Sequence, residues 1–358
     1  MRVPMKWLAL AVPVPLLVAC SDQPSAPKTD AALLPGASAA LHAGQTYTIK
    51  DLGTLGGAWA EGRAINDEGW VVGLSQVSIG VYHAFLWKDG HMTDLGTLGG
   101  TWSKALGINN AGEVVGASAI AGDAVWHAFL WRHGRMTDLG GLGGSYAEGF
   151  AINDRGDVAG TGVTPDGASR AVLWRHGRMT DLGTLGGDWS WANGISDEDV
   201  VVGGAAVAGD TAQPAFLWRD GVMHDIGTLG GSWAGASSIN GNGAIAGGGT
   251  TAGDVAWHAF LWQRGRWTDL GDLGGGYSYA QGINDEGQVV GGSALANGSA
   301  HAVLWDHGAT TDLGILPGGL DYSWAQGINN RGQVVGDAWT ATYQEHAVLW
   351  TTRERDHR

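Results

Sequence analysis

Apolar and polar residues along this chain follow one pattern seven times over. The clearest copy is His127-Ala128-Phe129-Leu130-Trp131-Arg132-His133-Gly134-Arg135-Met136-Thr137-Asp138-Leu139-Gly140. Alternation in its first half is the period-2 signature of a strand, and Gly134 supplies the positive φ of a tight turn before a second strand. A tryptophan closes the first of these strands in every copy: Trp87, Trp131, Trp174, Trp218, Trp262, Trp305 and Trp350. Upstream lie a small-residue strand such as Ala105-Leu106-Gly107-Ile108-Asn109, a turn such as Asn110-Ala111-Gly112, and a strand such as Glu113-Val114-Val115-Gly116. Glycine holds that turn in six copies, and the fourth copy has Asp199, a residue that tolerates left-handed backbone better than most.

The Asp-Leu/Ile-Gly element begins at Asp51, Asp94, Asp138, Asp181, Asp225, Asp269 and Asp312, always 43 or 44 residues apart. Four strands in about 43 residues match a propeller blade. The ends of the chain are out of phase in a complementary way. A lone fourth strand opens the array at 47–53, and the array stops after a third strand at 346–350. Exchange of that strand would close a ring and remove exposed edges, whereas an open solenoid has no use for the phase shift and would want polar capping units. The sequence therefore predicts an all-β fold, a seven-bladed β-propeller over 47–350 closed by its N-terminal strand, with a parallel β-solenoid or another closed β-array as the alternative. The 63 glycines, 19 tryptophans and 15% charged residues suit short strands and tight turns, not long helices.

Residues 1–19 carry Arg2 and Lys6 and then an apolar run from Trp7 to Ala19, too short and Pro-broken for a membrane span and fit for a secretory signal. Leu17-Val18-Ala19-Cys20 resembles the lipobox of bacterial lipoproteins. The resemblance implies diacylglycerol on Cys20, which becomes the mature N-terminus and anchors the chain to a membrane without spanning it. By the same resemblance, Ser21 favours the outer membrane. Loss of Arg2 and Lys6 with the signal takes the formal charge from −15 to −17. Residues 21–46, with Pro24, Pro27 and Pro35 and no hydrophobic period, read as a tether of about 25–30 Å reach. Residues 351–358 read as a charged tail.

Asp-Leu-Gly-Thr-Leu-Gly-Gly, Ile-Asn-x-x-Gly-x-Val-Val-Gly and His-Ala-Phe-Leu-Trp together resemble the HAF repeats of bacterial extracellular proteins, over about 47–350. His-Ala-Phe stands at 83–85, 127–129 and 258–260; it becomes His-Ala-Val at 301–303 and 346–348, Arg170-Ala171-Val172, and Pro214-Ala215-Phe216. The resemblance implies secretion and repeat architecture, and it carries no biochemical activity.

The repeated histidines His83, His127, His258, His301 and His346 read as structural hydrogen-bonding groups, because one per unit places them apart around a ring. The Asp-Leu-Gly aspartates read as turn acceptors. Asp123, Asp166, Asp210, Asp254 and Asn297 stand four before the histidine position, but their loops lack the ligand number of a calcium or zinc site. The Leu-Gly-x-Leu-Gly-Gly segments have no following Gly-Lys-Ser/Thr and read as turns rather than phosphate cradles. No metal and no cofactor is called for, and the outnumbered basic residues argue against nucleic acid. A single cysteine forbids an intrachain disulfide.

The candidate ligand-binding residues are aromatic. Six before the isoleucine of each small-residue strand stands Trp59, Trp102, Tyr146, Trp189, Trp233, Tyr277 or Tyr322, and Trp191, Tyr279 and Trp324 follow two residues later in three copies. In a propeller they would ring the mouth of the central channel, free to stack on sugars, cations or peptide side chains, or else wedge between blades. Trp191 and Trp324 fall outside the sevenfold pattern and so lack its structural reason. The sequence thus points to a monomeric, lipid-anchored envelope protein that binds a glycan or a protein without catalysis. A propeller-based polysaccharide lyase or hydrolase and a mainly structural envelope component are the alternatives. An enzyme should break the repeat with a unique polar cluster, and the odd segments 316–321 and 339–345 show no convincing acid–base pair.

Overall fold

The computed structural model describes residues 47–352; the signal 1–19, Cys20, the tether 21–46 and residues 353–358 lie outside the described residues. The described residues form twenty-eight strands and one short 3-10 turn, Ala208–Asp210. They build a propeller-like array of antiparallel four-stranded units. The strands of the first unit are Ala60–Ile65, Val71–Ser78, Val81–Lys88 and His91–Asp94, each hydrogen-bonded to the next. Neighbouring units touch through single parallel pairings between a third strand and the next unit's first strand, such as Tyr82 with Trp102 and Trp257 with Tyr277.

The last unit is assembled from both ends of the array. Ser323–Ile328, Val334–Trp339 and Glu345–Thr352 are followed in the sheet by Tyr47–Asp51. Tyr47 lies opposite Thr352 and Asp51 opposite Val348, so the third strand runs two residues past 350. The fourth stops at Asp51 because the Gly53 amide turns back to donate to Asp51 Oδ1 at 2.8 Å. His346 Nδ1 meets Asp51 Oδ2 at 2.7 Å across the same pair.

Each first strand carries a bulge after its third residue from the core end, as between Gly62 and Ala64, which presses its backbone onto the second strand. A Cβ at Gly73 would collide with the carbonyl oxygen of Glu61, and the equivalent collision recurs at Gly116, Gly160 and Gly291. That is the physical reason for the repeated Val-Val-Gly. Apolar side chains pack between units: Val72, Ala84 and Leu86 of the first meet Ala105, Val114 and Phe129 of the second. The phenylalanines of the His-Ala-Phe position, Phe85, Phe129, Phe216 and Phe260, are fully buried, each contributing about 1.5–3 kcal/mol.

The first strands end in a chain of amides. Asn66 Nδ2 donates to Asn109 O, Asn109 to Asn153 O, and Asn153 to Ser196 O; Asn329 Nδ2 donates to Asn66 O at 2.9 Å, joining the last unit to the first. Asp199 takes φ 61°, the left-handed turn residue where other units have glycine.

Candidate functional site

Strand direction alternates, so the loops joining second to third strands and the loops crossing to the next unit share one face. The crossing loop is built by its own polar groups. Each Asp-Leu/Ile-Gly carboxylate accepts the amide of the glycine two residues on, as Asp94 from Gly96 at 2.7 Å and Asp269 from Gly271 at 2.8 Å. The same carboxylates meet the histidines: His83 with Asp94, His127 with Asp138, His258 with Asp269 and His301 with Asp312, with Nδ1 to Oδ2 at 2.8–2.9 Å. Further on, Ser103 Oγ donates to Gly96 O at 2.6 Å and accepts the amide of Ala84 in the preceding unit at 2.8 Å. Histidine and alanine of the triplet therefore hold the loop and the unit junction. The loop aspartates are engaged likewise: Asp123 accepts the amide and hydroxyl of Thr101 at 2.7 and 3.0 Å, and Asp254 those of Ser232 at 2.7 and 2.8 Å.

This scaffold sets where the aromatics stand. Four of them have a backbone partner at the start of the preceding unit's third strand or just before it: Trp102 opposite Tyr82, Tyr146 opposite Trp126, Trp233 opposite Gln213, Tyr322 opposite Ala300. The aromatics stand at the unit junctions, at or just before the start of a first strand, which is the wedge position that the sequence offered beside the channel mouth. Their side chains are half-buried, apart from Tyr277, which is 41% exposed. Five rings form a continuous ribbon across three units: Trp59, Tyr82, Trp102, Trp126 and Tyr146, with centroids 5.4, 5.0, 5.3 and 6.3 Å apart. Trp189 stacks on Trp191 at 4.9 Å and on Trp233 at 6.3 Å. Tyr322 packs on Trp339 at 5.5 Å, and Tyr277 lies 6.4 Å from Trp324.

Trp191, Tyr279 and Trp324 do have a structural reason, contrary to the expectation for Trp191 and Trp324 from their irregular occurrence. A Cβ at Gly204 would meet the Trp191 ring, one at Gly248 the Tyr279 ring, and one at Gly292 the Trp324 ring. Each ring fills the space over a glycine of a second strand, and for Tyr279 and Trp324 that strand belongs to the preceding unit. The hydroxyls of Tyr279 and Ser237 share a hydrogen bond at 3.0 Å. Sequence reasoning missed Tyr82, Trp126 and Trp257 as members of the aromatic surface. The signal was an aromatic one residue ahead of the histidine position in three copies.

Two cavities lie along the axis. One, of about 250 Å³, is lined at the turn end by Asn66, Asp67, Asn110, Asp154, Asp197 and their equivalents; the other, of about 180 Å³, by first-strand residues including Arg63, Phe150 and Gln326. None of the ten candidate aromatics lines either cavity.

A charged cluster also breaks the repeat where the last unit meets the first. Glu61, Asp337 and Glu345 are buried there, with Arg63 paired to Glu61. Trp59 Nε1 donates to Glu345 Oε2 at 2.7 Å, and Gln326 Nε2 to Asp337 Oδ1 at 3.2 Å. Burial, then the charges of Glu345 and Glu61, hold the Asp337 carboxyl well above the usual range; burial and Glu61 raise Glu345 as well. Glu345 ends the odd segment 339–345, which holds no second acid; Asp337 comes from the neighbouring strand of the same unit and Glu61 from the first unit. Nearby, Lys104 Nζ lies 2.5 Å from Glu148 Oε1, and the Tyr146 hydroxyl donates to Glu148. Burial and then Glu148 push the Tyr146 hydroxyl far upward.

No family model matches the chain, and no curated protein matches it. Its fold is similar to that of solved β-propellers. For the β-propeller domain of the Trilobed protease from Pyrococcus furiosus the TM-score is 0.57 at 12% identity, covering 83% of this chain and 97% of that one. For the WD40 β-propeller domain of Doa1 the values are 0.51, 13%, 86% and 98%. A puromycin-hydrolyzing peptidase of Mycobacterium tuberculosis gives 0.51 at 11% identity, over 78% of this chain and 48% of that one. At such identities the likeness concerns the fold alone.

Proposed function

We propose that this chain is a monomeric, lipid-anchored module of the bacterial cell envelope, held at the outer membrane through Cys20, that binds a glycan or a protein on its aromatic face. In this reading the units are seven blades of a closed ring. Pairing of 47–51 with 345–352 and the Asn329–Asn66 bond support closure. The lipobox resemblance of Leu17-Val18-Ala19-Cys20 supports the anchor, and the HAF-like repeats support secretion.

The ribbon from Trp59 to Tyr146 is the observation that carries the binding role. Half-buried rings at 5–6 Å spacing are fixed by their junctions yet keep surface toward solvent, which suits a stacking platform with little ordering cost. Among the described residues, four of the five exposed large apolar side chains, Ile79, Val255, Tyr277 and Tyr343, lie on this same face, and the fifth, Val222, follows a turn at the opposite end. A catalytic reading, as a polysaccharide lyase or hydrolase, draws on the cluster of Glu61, Asp337 and Glu345. Asp337 is only 2% exposed, and that depth favours a structural junction over a substrate site.

Glycan and peptide arrays probed with the full chain and with Tyr277→Ala test the binding role. Tyr277 is the most exposed of the ten aromatics, so the variant should fold normally. Retained binding to some array class by the parent and weakened binding by the variant are expected. Turnover of a polysaccharide, lost in Glu345→Gln, would instead establish the catalytic reading.

A further inference from the structure

We infer that the aromatic face docks a cationic polypeptide segment, with Lys or Arg side chains over the aromatic ribbon and against the carboxylates that border it. This rests on the reading of that face as the binding surface and names the chemistry of its partner.

The charge distribution points there first. Lys88, Arg132, Arg135, Arg175, Arg178 and Arg264 flank turns between third and fourth strands, all at the end of the molecule away from the ribbon. On the aromatic face the basic side chains are largely consumed. Arg63 is paired to Glu61 and Lys104 to Glu148, while Arg170 is tied to the carbonyls of Ser169 and Asp188. The acids there are not neutralised to the same degree. Every Asp-Leu/Ile-Gly carboxylate ends a fourth strand at this face and is exposed, and Asp123, Asp166, Asp188, Asp254 and Asp321 add exposed carboxylates in its loops. At the opposite end Asp67, Asp89, Asp154, Asp197, Asp220 and Asp285 are offset by the basic residues there, so the net negative charge of the described residues lies mainly on the aromatic face. Such a face attracts cations over a Debye length and repels anionic polymers.

Aromatic chemistry points the same way. Ring faces of Trp and Tyr attract ammonium and guanidinium groups, and Arg also stacks on them. The ribbon is bordered by Asp94 and Asp138, whose carboxylates are 40% and 45% exposed while holding His83 and His127. Lys88 Nζ already lies 3.8 Å from the centroid of Trp70, an instance of the same contact within the chain. A polypeptide rather than an isolated cation fits, because the ribbon extends over three units and is flanked by the exposed apolar side chain of Ile79.

The test is a titration of the full chain with a fluorescein-labelled peptide of alternating Arg and Ala, beside its Glu/Ala counterpart and a neutral β-linked glucose oligosaccharide. Anisotropy reports peptide binding, and quenching of intrinsic tryptophan reports contact with the ribbon. The Arg peptide should bind and quench, with affinity falling about tenfold between about 20 and 200 mM salt. The triple variant Asp94→Asn, Asp123→Asn, Asp138→Asn keeps an oxygen acceptor at each position and should lose about tenfold in affinity at low salt. Asp89→Asn with Asp220→Asn, at the opposite end, should leave it unchanged. Should the triple variant misfold, Asp166→Asn with Asp188→Asn in exposed loops serves in its place, with a loss of about threefold expected. Equal binding of the Glu peptide, or unaltered binding by the charge variants, would overturn the inference. Binding and quenching by the oligosaccharide without the Arg peptide would overturn it too, while leaving the face as the binding surface.

Discussion

If Trp324 is a wedge between units, then Gly292 and Trp324 are energetically coupled. The Trp324 ring lies where a Cβ at position 292 would fall, and Trp324 is paired across the sheet with buried Asp337. Truncation in Trp324→Ala removes the ring and opens a cavity. A fully buried aromatic truncation costs about 3–5 kcal/mol, and partial exposure lowers this to about 2–4 kcal/mol. For roughly 300 folded residues the unfolding entropy is about 0.6 kcal/mol per kelvin, so the melting temperature should fall by about 3–6 °C. Gly292→Ala in the parent protein forces overlap with the ring and should cost about 1–3 kcal/mol. In the Trp324→Ala background the same methyl enters vacated space and should cost almost nothing. The double-mutant cycle, read by urea and thermal unfolding, should therefore give a coupling of about 1–3 kcal/mol. A coupling below about 0.5 kcal/mol would refute the wedge and return Trp324 to the set of free platform residues.

Deleting residues 47–53 should lower the melting temperature far more than deleting 21–46, since the former carries the paired strand and the His346–Asp51 bond; equal small losses would speak against closure. Cys20→Ser should abolish fatty-acid labelling and free the protein from membranes, and a variant still labelled would refute the anchor. Stability should be greater in mild acid than at pH 8. Asp337, Glu345 and Asp157 have raised carboxyls, and His258 and His301 are raised by bonds to Asp269 and to Asp312 and Asp321, so each group's contribution is present below its unfolded pKa and lost as pH rises through its folded value. Asp51 and Asp269, lowered by their histidine and glycine partners, act oppositely and limit stability at strongly acid pH. Asp337→Asn should flatten the decline toward pH 8 in unfolding scans, and an unchanged profile would exclude the cluster as its source.

The strand order was legible because each strand carries its own local signature: alternation in His127–Trp131, glycine turns, and a tryptophan at each third-strand end. The pairing of 47–51 with 345–352 was legible from phase alone, since an unmatched fourth strand and a missing one are complementary. What the sequence hid lies across junctions. Glu61 and Glu345 are 284 positions apart yet share one cluster with Asp337, and nothing local to either marks the other. The glycine under Trp324 is Gly292, in the preceding unit, so the ring's irregular occurrence looked like freedom from packing when it was compensated by a lost side chain one unit away. The choice between channel mouth and wedge for the aromatics stayed open for a related reason. Spacing along the chain fixes the loop that carries Trp102, but only the pairing with Tyr82 shows which strand lies beneath it.

Hydroxyl-radical footprinting of the protein in its native envelope fraction, compared with the purified chain, tests the central claim most directly. If the aromatic face meets a partner, Tyr277, Tyr343 and the ribbon residues Trp102 and Trp126 should be protected in the envelope, while His91 and Val222, beyond the opposite turns, should be oxidised equally in both samples. Protection of His91 and Val222 with Tyr277 and Tyr343 unprotected would place the partner on the other face and contradict the account.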